Sequence, residues 1–226
     1  MSRWEFDRQL DSLRADIVAL GEAVVERLTN AAEALETGEE SLARSVVAGD
    51  DEVNKCYMGI ERRCIDLFAL RQPVASDLRE VAGAYKISTD LERVGDLAVN
   101  VAEYALALER ELYPEVPFDD LTEAAVRAVE DAVGTYAESG DAWRCHELAD
   151  RDTELDAMCA HAREVVTRAL LEREVVDADT GDVEGLVADV TTLMLVVRDI
   201  ERVGDHAVNI AARTLYITES DDSLLE

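Results

Sequence analysis

The sequence contains few of the residues and patterns that would indicate β-structure or a membrane segment. Its 226 residues include only three prolines, and 5% of the residues are aromatic. No Val/Ile/Tyr-rich segments alternate between turn signals, which argues against a β-sandwich or barrel and favours an all-α protein. The longest apolar run, residues 190–197, includes two threonines. It is far shorter than the roughly 20 residues that span a bilayer.

Basic residues are also scarce. There are 22 Lys and Arg residues against 51 Asp and Glu, the net charge is -29, and the only lysines are Lys55 and Lys86. This charge would repel a phosphate backbone, so direct nucleic-acid binding is not expected. An acidic, lysine-poor surface is typical of a protein that works in high salt, where repulsion is screened, and this indicates a halophilic source.

Targeting and cysteine signals are weak as well. The N-terminal residues around Trp4 and Asp7 do not resemble a secretory signal, so we expect a cytoplasmic location. The cysteines form no Cys-x-x-Cys pattern, and we interpret them as free thiols on helices rather than a zinc site. They are Cys56, Cys64, Cys145 and Cys159.

One segment occurs twice in the chain. Residues 90–102 read DLERVGDLAVNVA, and residues 199–211 read DIERVGDHAVNIA. Both copies contain Glu-x-x-x-Asp-x-x-x-Asn, and residues four apart lie on the same face of a helix. Two stacked carboxylates repel each other, so their repetition in the same context suggests that a cation lies between them.

The apolar periodicity predicts three helices in each half of the chain. Leucines and other apolar residues recur every three or four positions from Leu10 to Leu35, as in a bundle helix. Pro114 and Pro117 mark a linker between the halves. The expected fold is all-α, with two tandem pseudo-symmetric three-helix bundles made of six long antiparallel helices, over residues 1–112 and 118–218. In the first half, the first predicted helix contains the stripe from Leu10 to Leu35, the second covers about residues 39–70, and the third begins near residue 74. In the second half, the predicted helices cover about residues 119–138, 141–172 and 183–216.

A second oxygen-rich pair precedes each repeated segment. If the second and third helices of each half form an antiparallel hairpin, residue n of the first hairpin faces roughly residue 145 minus n. The same construction in the second hairpin places Asp152 opposite residue 203. Each early pair then lies within about a turn of the Glu and Asp of the repeated segment. An all-oxygen site suits Mg²⁺, Mn²⁺ or ferric iron, and a thiolate zinc site fits less well. The expected ligands are Asp50, Asn54, Glu92, Asp96, Asp152, Asp156, Glu201 and Asp205.

Simpler interpretations compete with these. In so acidic a chain, any single carboxylate pair is most often a solvated helix face, and the repetition is what favours metal binding. His206 is at best a peripheral ligand, because it lies about 100° around the helix from Asp205. For Arg93 and Arg202, a surface ion pair is preferred slightly over a role with phosphate.

Three stretches together resemble the PhoU family of phosphate-signalling proteins: LRQPVASDLR at 70–79, KISTDLERVGD at 86–96, and the second copy of the repeat from Asp199. The resemblance implies two tandem three-helix bundles and metal clusters of iron, manganese, magnesium or zinc at the same eight positions. Asn54 stands where a carboxylate is frequent. The resemblance also implies that the protein couples a phosphate ABC transporter, through its ATPase subunit, to control of phosphate uptake and, in bacteria, to a sensor kinase.

The expected function is therefore that of a cytoplasmic, homodimeric adaptor that restrains phosphate uptake or phosphate-starvation signalling. It would have no catalytic step, and it would reach the membrane only through its partners. One alternative is a metal-dependent phosphoesterase or hydrolase with two bridged ions. Another is an ion-storage bundle, although the Glu-x-x-His motif of ferritin-like proteins is absent.

Overall fold

The computed structural model describes residues 3–70, 75–108, 116–176 and 183–225. These residues form seven α-helices and no β-strand. The predicted turn at residues 72 and 73 and the predicted loop near 177 lie outside the described residues. The helices are α1 Arg3–Thr37, α2 Glu40–Ala48, α3 Asp50–Leu70, α4 Ala75–Ala107, α5 Phe118–Ala137, α6 Ala142–Val176 and α7 Val183–Glu219.

The all-α prediction is confirmed, and the apolar stripe of α1 is buried as expected. Every apolar residue of the predicted seam between Leu10 and Leu35 is less than 9% exposed. Gly38 ends this helix with a φ of +69°, a left-handed conformation that glycine adopts without steric cost.

The prediction of one continuous helix over residues 39–70 is wrong, because the chain breaks at Gly49. The Gly49 N–H donates to the Ser45 carbonyl, which closes α2, and α3 begins at the next residue. The guanidinium of Arg27 lies where a Cβ at position 49 would be. The break places Asp50, Asp51 and Glu52 in the first turn of α3, where the helix dipole favours negative charge.

The helices surround one continuous hydrophobic core. Four long helices form its centre, since α4 and α5 each pack against both α1 and α7. On the first half of the chain, α2 and α3 cover α1 and α4, and on the second half α6 covers α5 and α7. None of the described helices is long and apolar enough to cross a membrane.

The register within each half brings the two oxygen-rich pairs to the same level. A Cβ built on Gly95 of α4 would lie 3.2 Å from Val53 Cγ1 of α3. The predicted register placed residue 92 opposite Val53, about one helical turn away. A Cβ built on Gly204 of α7 would overlap Asp152 Oδ1 of α6, within about one residue of the predicted register. Glycine in the repeated segment therefore lets the outer helix approach closely in both halves.

Candidate functional site

The two copies of the repeated segment lie on α4 and α7, which pack against each other in antiparallel orientation. Their polar residues form a pair of contacts related by pseudo-twofold symmetry. Asn100 Nδ2 donates to Asp199 Oδ2 at 3.1 Å, and Asn209 Nδ2 donates to Asp90 Oδ1 at 3.4 Å. The Asn of each copy therefore joins the two halves. Its spacing had suggested that it would extend the row of Glu and Asp in its own copy, and it does not.

These two contacts, which we call clasps, differ in strength. Asp199 is fully buried and also accepts hydrogen bonds from the Tyr104 hydroxyl and from Arg198. Asp90 is partly buried, and its second contact is His206 Nδ1 at 2.9 Å. His206 thus interacts with the other half of the molecule.

The second half brings Asp152 and Asp156 of α6 together with Glu201 and Asp205 of α7. Burial and the neighbouring charges of Asp156, Asp205 and Glu201 raise the pKa of Asp152 to about 6. Burial and the charges of Glu201 and Asp205 also raise the pKa of Asp156. The four carboxyl groups therefore lie close enough that Glu201 and Asp205 disfavour the ionisation of Asp152 and Asp156. We call them the second cluster.

Two oxygens of the second cluster have unmet bonding capacity. Asp152 Oδ1 and Asp156 Oδ1 are both buried, and neither has a hydrogen-bond partner. A buried carboxylate oxygen without a partner costs free energy unless a donor, a proton or a cation reaches it. Glu201 is better compensated, because both of its oxygens accept hydrogen bonds from the Arg163 guanidinium.

The first half brings Asp50 and Asn54 of α3 near Glu92 and Asp96 of α4, and we call these four residues the first cluster. Burial and the charge of Asp96 raise the pKa of Glu92, while burial and the charge of Asp50 raise the pKa of Asp96. Asn54 Nδ2 donates to Asp50 Oδ2 at 2.8 Å. Arg27 Nη1 lies 4.0 Å from Asp50 Oδ1. The first cluster is thus partly compensated by an amide donor and a guanidinium.

The donor chemistry of the second cluster suits a hard cation. It offers carboxylate oxygens only, two of them buried and unpaired, as Mg²⁺, Mn²⁺ or ferric iron prefer. Over residues 3–70, 75–108, 116–176 and 183–225, no three His, Cys, Asp or Glu side chains are grouped as a formed metal site. Binding of an ion would therefore require side-chain rotations that converge the carboxylates.

Other predicted candidates have separate surroundings. Cys64, Cys145 and Cys159 are buried free thiols and Cys56 is an exposed one, as predicted. Arg93 and Arg202 line a groove between the two halves, next to Asp50 and Asp96. Arg202 forms an i,i+3 ion pair at 3.7 Å with Asp199, whose carboxylate is buried.

Sequence reasoning missed Arg27, Arg163 and the clasp aspartates as parts of the site. Asp90 and Asp199 are the first residues of the repeated segment, so the repetition itself was a usable signal. Arg27 and Arg163 lie outside that segment, on α1 and α6, and only the packing brings them to the clusters.

Comparisons with known proteins agree with this architecture. The PhoU domain model matches the chain twice, at residues 17–105 and 118–214. The phosphate-specific transport system accessory protein PhoU homolog 1 of Thermotoga maritima is 33% identical over 218 residues, covering 94% of this chain and 88% of that protein.

Two solved structures share the fold. The crystal structure of PhoU from Pseudomonas aeruginosa has a TM-score of 0.85 and 29% identity, and the match covers 96% of this chain and 100% of that one. The phosphate transport system regulatory protein PhoU of Streptococcus pneumoniae has a TM-score of 0.82 and 23% identity, covering 96% and 98%. Both repeats match the family model, and together the matches span most of the chain. The chain belongs to the PhoU family.

Proposed function

We propose that this protein is a cytoplasmic regulator of phosphate uptake and phosphate-starvation signalling that acts as a metal-binding adaptor to a phosphate ABC transporter. The main support is the family match over both repeats, joined by relatives whose names describe accessory and regulatory proteins of phosphate transport. Those names also agree with the prediction that the chain is not an enzyme. For that reason the phosphoesterase alternative is not carried further.

In this proposal the metal has a structural role. A cation held by Asp152, Asp156, Glu201 and Asp205 would tie α6 to α7 and neutralise carboxylates that otherwise repel one another. Asp50, Asn54, Glu92 and Asp96 would tie α3 to α4 in the same way. By family resemblance the ion would be iron, manganese, magnesium or zinc. It would supply positive charge and fix the angle between helices. The outer helices then present a defined surface to the partner.

The partner in this proposal is the ATPase subunit of the transporter, with a sensor kinase as a further partner, and the protein acts as a homodimer. The test is affinity purification of the tagged full-length chain from phosphate-rich and phosphate-starved cells at native salt. Recovery of a transporter ATPase in a phosphate-dependent amount is the expected result. Purification without that subunit under both conditions would contradict the adaptor function.

The metal component has its own test. Protein purified without chelator is analysed for bound metals by mass spectrometry, and its thermal midpoint is measured before and after chelation. We expect bound metal and a lower midpoint after chelation, because the ion binds only the folded clusters. A metal-free preparation whose midpoint does not respond to added Mn²⁺, Mg²⁺, Zn²⁺ or iron would contradict metal binding.

A further inference from the structure

The outer face of α3 has exposed apolar side chains that none of the described residues covers. The buried side of this helix carries Val53, Ile60 and Leu67. On the opposite side, Met58 is 41% exposed and Ile65 is 56% exposed. Residues seven apart lie on the same helix face, so these two side chains form one apolar strip.

The matching face of α6 has no such strip. When Asp50 is aligned with Asp152, Met58 corresponds to Ala160 and Ile65 to Thr167. Both of these α6 residues are exposed. The apolar outer face is therefore a property of the first repeat and not a requirement of the fold.

Gly59 lies beside the apolar strip and packs against no other helix among the described residues. It is exposed in the interior of α3, and a Cβ built on it would meet no atom within 4 Å. Glycine lowers the stability of a helix interior relative to alanine. Close approach of a second helix would account for a small residue at this position.

Four residues next to the strip form a ridge that is complementary to the same ridge of a second, antiparallel copy of α3. Lys55, Gly59, Arg62 and Asp66 are spaced by four, three and four residues, so they lie along one line of α3. Lys55 and Asp66 are exposed, and among the described residues neither has an ion-pair partner. An antiparallel second α3 would place Lys55 opposite Asp66 and Gly59 opposite Arg62, with Met58 beside Ile65.

The charge distribution favours a second copy as the occupant of this face. The exposed ridge contains two basic residues, Lys55 and Arg62, and one acidic residue, Asp66, within a chain of charge -29. Two copies repel each other over most of their surfaces, and this nearly neutral region is where they can approach. A strongly basic partner would instead be attracted to the acidic remainder of the molecule.

We propose that α3 is the homodimer interface, packed antiparallel against α3 of a second copy about a twofold axis. The ridge of Lys55, Gly59, Arg62 and Asp66 and the strip of Met58 and Ile65 form its centre. Each interface of this kind is isologous, so the Lys55–Asp66 contact occurs twice. This inference rests on the homodimer included in the proposed function and assigns its surface.

The first test fills the space above Gly59 in the full-length chain. Gly59→Leu should raise the dimer dissociation constant about 100-fold, because the added side chain blocks the approach of Arg62. The measurement is sedimentation equilibrium at native salt. Circular dichroism and the thermal midpoint verify that the monomer remains folded, as the open space around Gly59 predicts. Ala160→Leu on the outer face of α6 is the matched control and should leave the dissociation constant unchanged.

The second test exchanges charges across the twofold axis. Lys55→Glu should weaken dimerisation about tenfold by placing like charges opposite each other, and adding Asp66→Lys should restore most of the affinity. Recovery in the double variant would show that the two positions face each other across copies, which a general change in net charge cannot explain.

Three results would overturn this inference. The first is a chain that remains monomeric at every concentration, and the second is a dimer that Gly59→Leu and Lys55→Glu leave intact. The third is loss of the transporter ATPase from these variants in affinity purification while they dimerise normally, which would assign the face to another protein. If the variants lose the dimer but still recover the ATPase, the interface is supported. If the variants weaken the dimer as expected but no ATPase is recovered, only the adaptor function is contradicted.

Discussion

The two halves of this molecule share a repeated segment but balance its charge in different ways. In the first cluster, an amide of Asn54 and the guanidinium of Arg27 approach Asp50. In the second cluster, Asp152 and Asp156 each keep a buried oxygen without a partner, and the pKa of Asp152 is raised to about 6. The difference teaches that carboxylates in equivalent positions can be partly compensated by neighbouring side chains in one repeat and keep buried, unpaired oxygens in the other.

The clasps show a second asymmetry and give the largest expected effect. Asp199→Ala should lower the free energy of unfolding by about 3 kcal/mol, because it removes a fully buried carboxylate and leaves Asn100 and Tyr104 without their acceptor. Asp90→Ala should cost about 1 kcal/mol, since Asp90 is only partly buried and has fewer contacts. Chemical denaturation of both variants at one salt concentration measures the difference. Equal losses would contradict the asymmetry.

Metal-dependent stability tests the clusters directly. Saturating Mn²⁺ at about 100 times its dissociation constant should stabilise the protein by about 2.7 kcal/mol. The double variant Asp152→Asn with Asp156→Asn should lose most of this gain, while the matched pair Asp50→Asn with Asp96→Asn should lose less. Thermal midpoints with and without Mn²⁺ provide the measurement. A larger loss of Mn²⁺ stabilisation in the first-cluster variant than in the second-cluster variant would contradict this comparison.

Restoring a carboxylate to the first cluster should make it resemble the second. Asn54→Asp removes the amide donor to Asp50 and gives the first cluster a fourth carboxylate. We expect lower stability without metal, by about 1 kcal/mol, and a larger stabilisation by Mn²⁺ than in the parent chain. The control is Asn30→Asp on α1, which adds the same charge outside the cluster. If both variants respond equally to Mn²⁺, the effect is one of net charge alone.

The two glycines of the repeated segment should tolerate alanine differently. Gly204→Ala should destabilise the protein by about 1 to 2 kcal/mol, because the new Cβ would overlap Asp152 Oδ1 and lie 2.8 Å from Leu155 Cδ2. At Gly95 the nearest atom would be Val53 Cγ1 at 3.2 Å, and the gain in helix propensity should offset most of the crowding, giving a change within about 0.5 kcal/mol. Urea unfolding of the two variants is the measurement, and equal destabilisation would be evidence against closer packing in the second half.

A further expected effect is the pH dependence of the metal-free protein. The folded-state pKa of Asp152 is raised from 3.8 to about 6, so between these values the folded state binds more protons than the unfolded state. Stability should therefore fall as pH rises from about 4 to about 6, and should be recovered on acidification. Asp152→Asn should flatten this dependence more than Asp150→Asn, an exposed control. Thermal midpoints across that range in chelator measure it, and an unchanged profile in Asp152→Asn would contradict the assignment.

Much of the fold followed from local pattern. The three-and-four spacing of apolar residues predicted α1 and its buried stripe, and the antiparallel construction placed Asp152 within about one residue of its observed register against α7. The break at Gly49 was missed because glycine alone does not terminate a helix. At this glycine the guanidinium of Arg27, distant in sequence, occupies the space of a Cβ, and the local sequence does not reveal that contact.

The sequence alone determined the helical class, the duplication and the set of carboxylates, because periodicity and repetition are properties of neighbouring residues. Only the tertiary structure decided which charges are balanced. Arg27, Arg163 and the clasp partners come from other helices, and a carboxylate's need for a cation depends on burial and on every neighbouring donor. Spacing within one helix contains none of that information.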